Sequence, residues 1–255
     1  MPRLLIRGAT LVTVRGRAQE DLLIEGETIA AVGAGLQSAG AEVIDATGKL
    51  VLPGGIDPHT HFDLPMFDTV SADDHYSGLK AAAFGGTTTV LDFVPQDFKS
   101  LRQCVDAWHA KADAKAPIDF SFHMNITRLD PQVMSEIPAL VGQGITTLKV
   151  FTAYNGRLRL QDGQIFQVMR RGAENGMLTM LHAENGDVIE VLTAEVLASG
   201  QTSPVWHART RPAWGAVEAS LRAIALAEQA GSALYIVHVN TAGEVDQIRY
   251  GREWG

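Results

Sequence analysis

The chain has 255 residues, 46% hydrophobic and 20% charged, which is enough apolar material for a sizeable core. Its formal charge of −8 argues against nucleic acid or an anionic membrane surface as a partner, since both favour basic patches. A single cysteine, Cys104, excludes an internal disulfide framework and fits a reducing compartment, so the cytoplasm is the expected location.

The opening MPRLLIRGATLVTVRG holds an apolar run too short and too interrupted for a signal peptide. No stretch of about 18 apolar residues offers a membrane span. Residues 1 to about 50 read as short strands, LLIRGATLVTV, DLLIEGETIAAVG and EVIDATGKLVL, with Gly and Asp at the turns and β-branched residues alternating with polar ones. A small β-sheet unit is expected there. From Gly55 the texture changes, and apolar strands alternate with helix-like segments. Strands are predicted over Gly55–His61, Thr87–Val94, Asp119–Ile126, Thr146–Ala153, Leu178–Glu184 and Ala233–Asn240. Helices are predicted around His75–Phe84, Lys99–Asp113, Pro131–Val141, Asp162–Asn175, Val188–Ser199 and Trp214–Ala230. Near-continuous hydrophobic strands such as TTTVLDFV and ALYIVHV point to a parallel sheet buried on both faces.

Repeated β-α units fit either a doubly wound sheet or a (β/α)8 barrel. The first strand is followed by no glycine-rich phosphate fingerprint, which weakens the nucleotide-binding alternative. The polar residues decide for the barrel, where functional side chains gather at the C-terminal ends of several strands. In VLPGGIDPHTHFDLP, His59 and His61 stand two apart, so in an extended strand they project from one face and could share a metal ion. His182 and His238 sit near the ends of the fifth and sixth predicted strands. Taken alone, each is more readily a satisfied core histidine than a ligand. Lys149 in TTLKVFTAY is stranger, because an unpaired buried ammonium is costly enough to lose its proton. It shares a face with Thr147 and Phe151, opposite Leu148 and Val150, so the register sends it inward or outward with them. Four histidines and a lysine at corresponding strand ends suit a metal site, but lysine nitrogen is a poor bridging ligand, and Lys149 stays unexplained on these grounds alone.

GGIDPHTHFDLP, SADDHYSGLKAAAFGGTTTVLDF, LKVFTAYNGRL, LHAENGDVIE and YIVHVNTAGE, in this order and spacing, resemble the cyclic-amide hydrolases, the hydantoinases and dihydropyrimidinases of the amidohydrolase superfamily. The resemblance runs from about Arg3 to the last residue. It implies that Lys149 reacts with carbon dioxide to form a carbamate bridging two divalent metals, usually zinc. His59 and His61 would then hold one ion and His182 and His238 the other. Tyr154 would hydrogen-bond the developing oxyanion as a hydantoin or dihydropyrimidine ring opens to an N-carbamoyl amino acid; without the resemblance, an aromatic residue capping the sheet rim is the simpler reading. It also implies a small cyclic amide or imide as substrate and a tetramer or dimer as the assembly.

Related dihydroorotases carry an arginine two residues after the second histidine; here that position is Asp63, which disfavours a carboxylated ring substrate and suggests a supporting or structural role. His75, His109 and His207 read as solvated surface histidines, and His123 as a sheet residue without assigned role. The resemblance further divides the chain into residues 1–52, part of a composite β-sandwich, and 53–255, strands one to six of the barrel. The family's later strands, and the aspartate that completes its metal site and shuttles protons, have no counterpart before Gly255. Two alternatives stand beside a hydrolase whose sequence ends early. One is a non-catalytic scaffold like the collapsin-response mediator proteins. The other is a short form that pairs with a second chain or binds metal without turnover.

Overall fold

The computed structural model describes residues 1–37, 39–66 and 68–254, which fall into two units, Met1–Gly55 and Ile56–Gly255. In the first, alternating apolar and polar residues form β1 (Arg3–Thr13), β2 (Gly16–Glu25), β3 (Thr28–Gly33), β4 (Glu42–Asp45) and β5 (Leu50–Val51). The sheet order is β3-β2-β1-β4, with β5 also pairing with β1. β1 and β2 form an antiparallel hairpin, and Gly16 at its tip takes a φ of 119°, a conformation that suits glycine. Ala9, Leu11, Leu22 and Ala46 form the small core of this unit.

β6 (Gly55–Thr60) leads into the second unit, where a short hairpin, β7 (Pro65–Met66) and β8 (Thr69–Val70), precedes α1 (His75–Phe84). There follow β9 (Thr87–Val94), α2 (Leu101–Ala112), β10 (Asp119–Asn125), α3 (Pro131–Val141), β11 (Thr147–Phe151) and α4 (Asp162–Ala173). The remaining elements are β12 (Leu178–His182), α5 (Gly186–Ala198), α6 (Val205–Arg209), α7 (Ala213–Ala230), β13 (Leu234–Ile236) and α8 (Ala242–Trp254). The main sheet runs β13-β12-β11-β10-β9-β6, and the registers from β9 to β13 are all parallel. Parallel neighbours cannot be joined by tight hairpins, and the intervening helices supply the crossovers. The fold is therefore mixed α/β with an all-parallel sheet, as the alternation of strand and helix patterns led one to expect. Among the described residues, no helix is long and apolar enough to cross a membrane.

Both faces of the central strands are covered. On the helix side, Leu148 and Val150 join Phe122, Ile137, Ile165 and Val168 in the main core. On the other side, Phe93, Met180 and Val237 form a separate buried layer at the floor of the polar cluster described below. Helix α1 is set by a capping box, in which the Asp74 side chain accepts from the Ser77 N–H at 2.8 Å while the Asp74 N–H donates to the Ser77 hydroxyl oxygen at 3.1 Å. Its inward stripe is His75, Gly78 and Leu79, spaced three and four residues apart. A Cβ at Gly78 would run into the ring of buried Phe62. Gly78→Ala is accordingly expected to cost about 1–3 kcal/mol in urea unfolding, through the displaced ring. Unchanged stability would show that Phe62 has room to move.

Candidate metal centre

His59 near the end of β6 and His61 just past it turn to one side. Their rings lie 5.3 Å apart, and both lean on Phe93, at 4.6 Å for His59 and 4.9 Å for His61. His182 is the last residue of β12. The sixth strand of this sheet is shorter than its sequence pattern, ending at Ile236 rather than at Asn240. The reason is local: His238 takes a φ of 38°, outside the extended range, so the ladder stops after the Val237 N–H bonds the Leu181 carbonyl at 3.2 Å. The His238 ring then stands 5.5 Å from that of His59 and 4.7 Å from that of His182. The four imidazoles thus form one continuous run, His61–His59–His238–His182.

Lys149 lies among them, 2% exposed, its ammonium over the rings of Phe93 at 5.2 Å and Phe151 at 5.1 Å. The register has therefore sent Lys149 inward. Burial alone pushes it down to about 7, with no carboxylate offsetting that effect. Burial, and then the positive charge of Lys149, push His59 down to about 3. Burial, then His182, then Lys149 bring His238 to about 4. These two imidazoles are neutral at neutral pH and offer lone pairs.

The chemistry of this donor set suits a divalent metal. His182 Nδ1 and His238 Nε2 converge to 3.1 Å, close to the roughly 3.3 Å expected between two nitrogens on one tetrahedral zinc. The other nitrogen of His182, Nε2, is 2.7 Å from Glu184 Oε2. An ionised carboxylate only accepts, so Nε2 carries the proton and Nδ1 keeps its lone pair. Glu184 was not singled out from sequence; its place two residues after His182 was the available signal. Thr152 ties these ends together, its hydroxyl 2.8 Å from the carbonyl oxygens of both His182 and Glu184. Among the described residues, no three His, Cys, Asp or Glu side chains group closely enough to hold a metal. The imidazoles come in pairs, and a pair needs a further ligand to complete a coordination shell.

Tyr154 follows β11 by three residues, is 41% exposed, and sets its ring 4.9 Å from that of His182. Burial of its inner part, then the charge of Glu184, raise its phenol above the ordinary value and keep it a proton donor. Among the described residues, the non-glycine positions with positive φ are Asp63 at 49°, Tyr154 at 66° and His238 at 38°. All three follow ends of the parallel strands beside this cluster. Such backbone costs about 1–2 kcal/mol at each position, and its concentration here marks a functional region.

Asp63 does not face the histidines it follows. Its Oδ2 accepts from His75 Nδ1 at 2.9 Å and from the His75 N–H at 3.2 Å. This corrects the reading of His75 as a surface residue: it is fully buried, because the inward stripe of α1 begins with it. His207 is exposed and His109 half-buried, paired with Asp113 at 2.8 Å. His123 is buried, its Nε2 donating to the Pro58 carbonyl at 2.9 Å, just before His59. Asp92, 1% exposed within an apolar strand, was missed, although it carries the same signal as Lys149.

No family model matches the chain. It is 47% identical over 253 residues to a D-hydantoinase of Geobacillus stearothermophilus, covering 98% of this chain and 54% of that protein. A D-hydantoinase of Streptomyces coelicolor is 44% identical over 259 residues, with 99% and 56% covered. Among solved structures, a dihydropyrimidinase from Brevibacillus agri superposes with a TM-score of 0.97 at 47% identity, covering 99% of this chain and 55% of that one. A D-hydantoinase from Bacillus sp. AR9 gives 0.96 at 48% identity, again over 99% and 55%. The chain spans about half the length of the curated relatives it matches. Sequence identity near one half over nearly every residue, together with the same backbone, shows that the chain is a close homologue of the D-hydantoinases and dihydropyrimidinases over about half their length.

Proposed function

We propose that the chain carries the metal-holding part of a cyclic-amide hydrolase that opens hydantoin or dihydropyrimidine rings to N-carbamoyl amino acids. The observation that carries this reading is the convergence of two histidine pairs on a buried lysine at one end of a parallel sheet. In this reading the sheet is strands one to six of a (β/α)8 barrel, residues 53–255, and residues 1–52 belong to a β-sandwich. His59 and His61 would hold one divalent ion, zinc by the preference of paired imidazoles, and His182 and His238 a second. Bound ions would supply a water of depressed pKa and polarise the ring carbonyl.

Lys149 has a role of its own. With its pKa brought to about 7, a large share is free amine at neutral pH. That amine could add to carbon dioxide with release of one proton, and the resulting carbamate would supply the anionic oxygen ligands that the two histidine pairs lack. An ammonium that would repel a cation thus becomes an anionic ligand. Glu184 holds His182 in the tautomer that presents Nδ1, and the Tyr154 hydroxyl donates a hydrogen bond to the oxygen that gains charge as water adds to the ring carbon.

The test is zinc content together with ring opening of hydantoin and dihydrouracil. The expected result is two zinc ions per chain, with turnover lost on chelation and recovered on adding zinc. Zinc uptake without turnover of either ring would identify a non-catalytic metal-binding relative. Absence of zinc binding would overturn the metal reading altogether.

A further inference from the structure

A buried polar group that the proposed chemistry leaves unused lies one layer behind the histidines. His75 is fully buried and ringed by Phe62 at 5.7 Å, Trp108 at 6.2 Å and Phe122 at 6.5 Å. Its Nδ1 meets Asp63 Oδ2 at 2.9 Å, and its Nε2 lies 3.2 Å from Asp92 Oδ2, an ion-pair contact whose angle falls short of a hydrogen bond. We infer that His75 is a positioning residue for the metal centre, joining the loop after His61, through Asp63, to β9, through Asp92, and so holding His61 in its metal-binding orientation.

The Asp63 end is held at several points. Besides the two bonds from His75, its N–H donates to the Asp73 carbonyl at 2.9 Å and its own carbonyl accepts from Lys111 Nζ at 3.1 Å. This over-determination keeps Asp63 in its left-handed conformation two residues past His61. The intervening Phe62 is wedged against Gly78 of α1. The loop bearing His61 is therefore fastened to the helix that carries His75.

The Asp92 end is anchored in β9 next to Phe93, whose ring lies against His59 and His61. One oxygen, Oδ2, accepts from Trp108 Nε1 at 2.9 Å. The other, Oδ1, is buried with no hydrogen-bond partner among the described residues. A buried carboxylate oxygen in that state requires a donor. A His61 N–H turned toward Asp92 would supply that donor and leave the other nitrogen's lone pair for a metal, an arrangement in which carboxylate, imidazole and ion would support one another. Asp92 performs this only while its own position is fixed, and His75 and Trp108 are the groups that fix it. Burial by itself would lower the basicity of His75, but Asp92 and Asp63 together outweigh it and raise the imidazole above its ordinary value, consistent with a cation between two anions.

This inference rests on the metal reading proposed above, and the experiment separates the two. Zinc affinity is measured by competition with a chelating dye, alongside metal-free thermal unfolding and the visible spectrum of the cobalt-loaded protein. His75→Phe keeps the ring among its aromatic neighbours and removes both polar links. It is expected to bind zinc roughly 10–100-fold more weakly and to shift the cobalt bands while the metal-free protein stays folded. His75→Gln, whose amide retains two N–H donors, is expected to recover part of the affinity. A folded His75→Phe protein with wild-type affinity and cobalt spectrum overturns the inference. If that variant does not fold, Asp92→Asn reads the same link, with the same loss expected and wild-type affinity again overturning it. A wild-type protein that takes up no zinc defeats the metal reading itself, a result distinguishable from the others.

Discussion

Lys149→Met is expected to stabilise the metal-free protein while abolishing the zinc uptake proposed above. The two effects have one source. Lys149 is 2% exposed, and burial brings its ammonium from an ordinary value near 10.5 down to about 7. The folded pKa lies below the unfolded one, so the unfolded chain binds the extra proton between those values. The penalty is full below about 7 and is relieved as pH rises toward 10.5, so this residue makes metal-free stability increase with pH across that window. Near neutral pH the penalty is on the order of 4 kcal/mol. Methionine fills a similar volume without a charge, between the same two phenylalanine rings, and removes both the penalty and its pH slope. Urea unfolding of both proteins in carbon-dioxide-free buffer, followed from neutral to alkaline pH, measures this directly. A methionine variant that is no more stable than wild type, with an unchanged slope, would mean that the ammonium finds a partner in solution.

Tyr154→Phe is expected to lower kcat on hydantoin or dihydrouracil by about 10²–10³-fold, the usual loss for one donor to a developing oxyanion. The substitution leaves the left-handed backbone at this position and the ring contact with His182 in place, because both belong to parts of the residue that phenylalanine retains. Zinc content and unfolding midpoint should therefore match wild type. The raised phenol pKa means that the donor persists well into alkaline pH, so any alkaline fall in rate should have the same midpoint in both proteins. Steady-state kinetics with measured zinc content decide the matter. Undiminished kcat would reduce Tyr154 to a rim residue, the role its 41% exposure would otherwise suggest.

Much of this architecture was legible in order along the chain. The strand TTTVLDFV was bounded correctly at Thr87–Val94, and two helices, His75–Phe84 and Pro131–Val141, have the ends their patterns predicted. Strand ends beside the site were read too long. The pattern continues through Thr152–Ala153 and through VHVN, whereas the chain leaves the sheet at Phe151 and Ile236 to give Tyr154 and His238 their left-handed backbone. Hydrophobic period carries no information about a residue that abandons the pleat for functional geometry. His75 was misread because a polar residue at a helix start is ordinarily solvated, and nothing nearby in sequence shows that the stripe it begins packs beneath Phe62. Asp92 was overlooked inside an apolar run, although the argument applied to Lys149 covers it equally.

The sequence by itself determined the alternation of strands and helices, the shared projection of His59 and His61, and the anomaly of Lys149, because each depends on spacing within one segment. The tertiary structure alone decided that His182 and His238 meet at 3.1 Å, that Lys149 points inward, and that Asp63, His75 and Asp92 form one buried chain. Those contacts join residues from separate strands and from the helix between them. They are set by parallel register and helix docking, which sum many weak apolar contacts over the whole sheet and leave no mark on any single stretch of sequence.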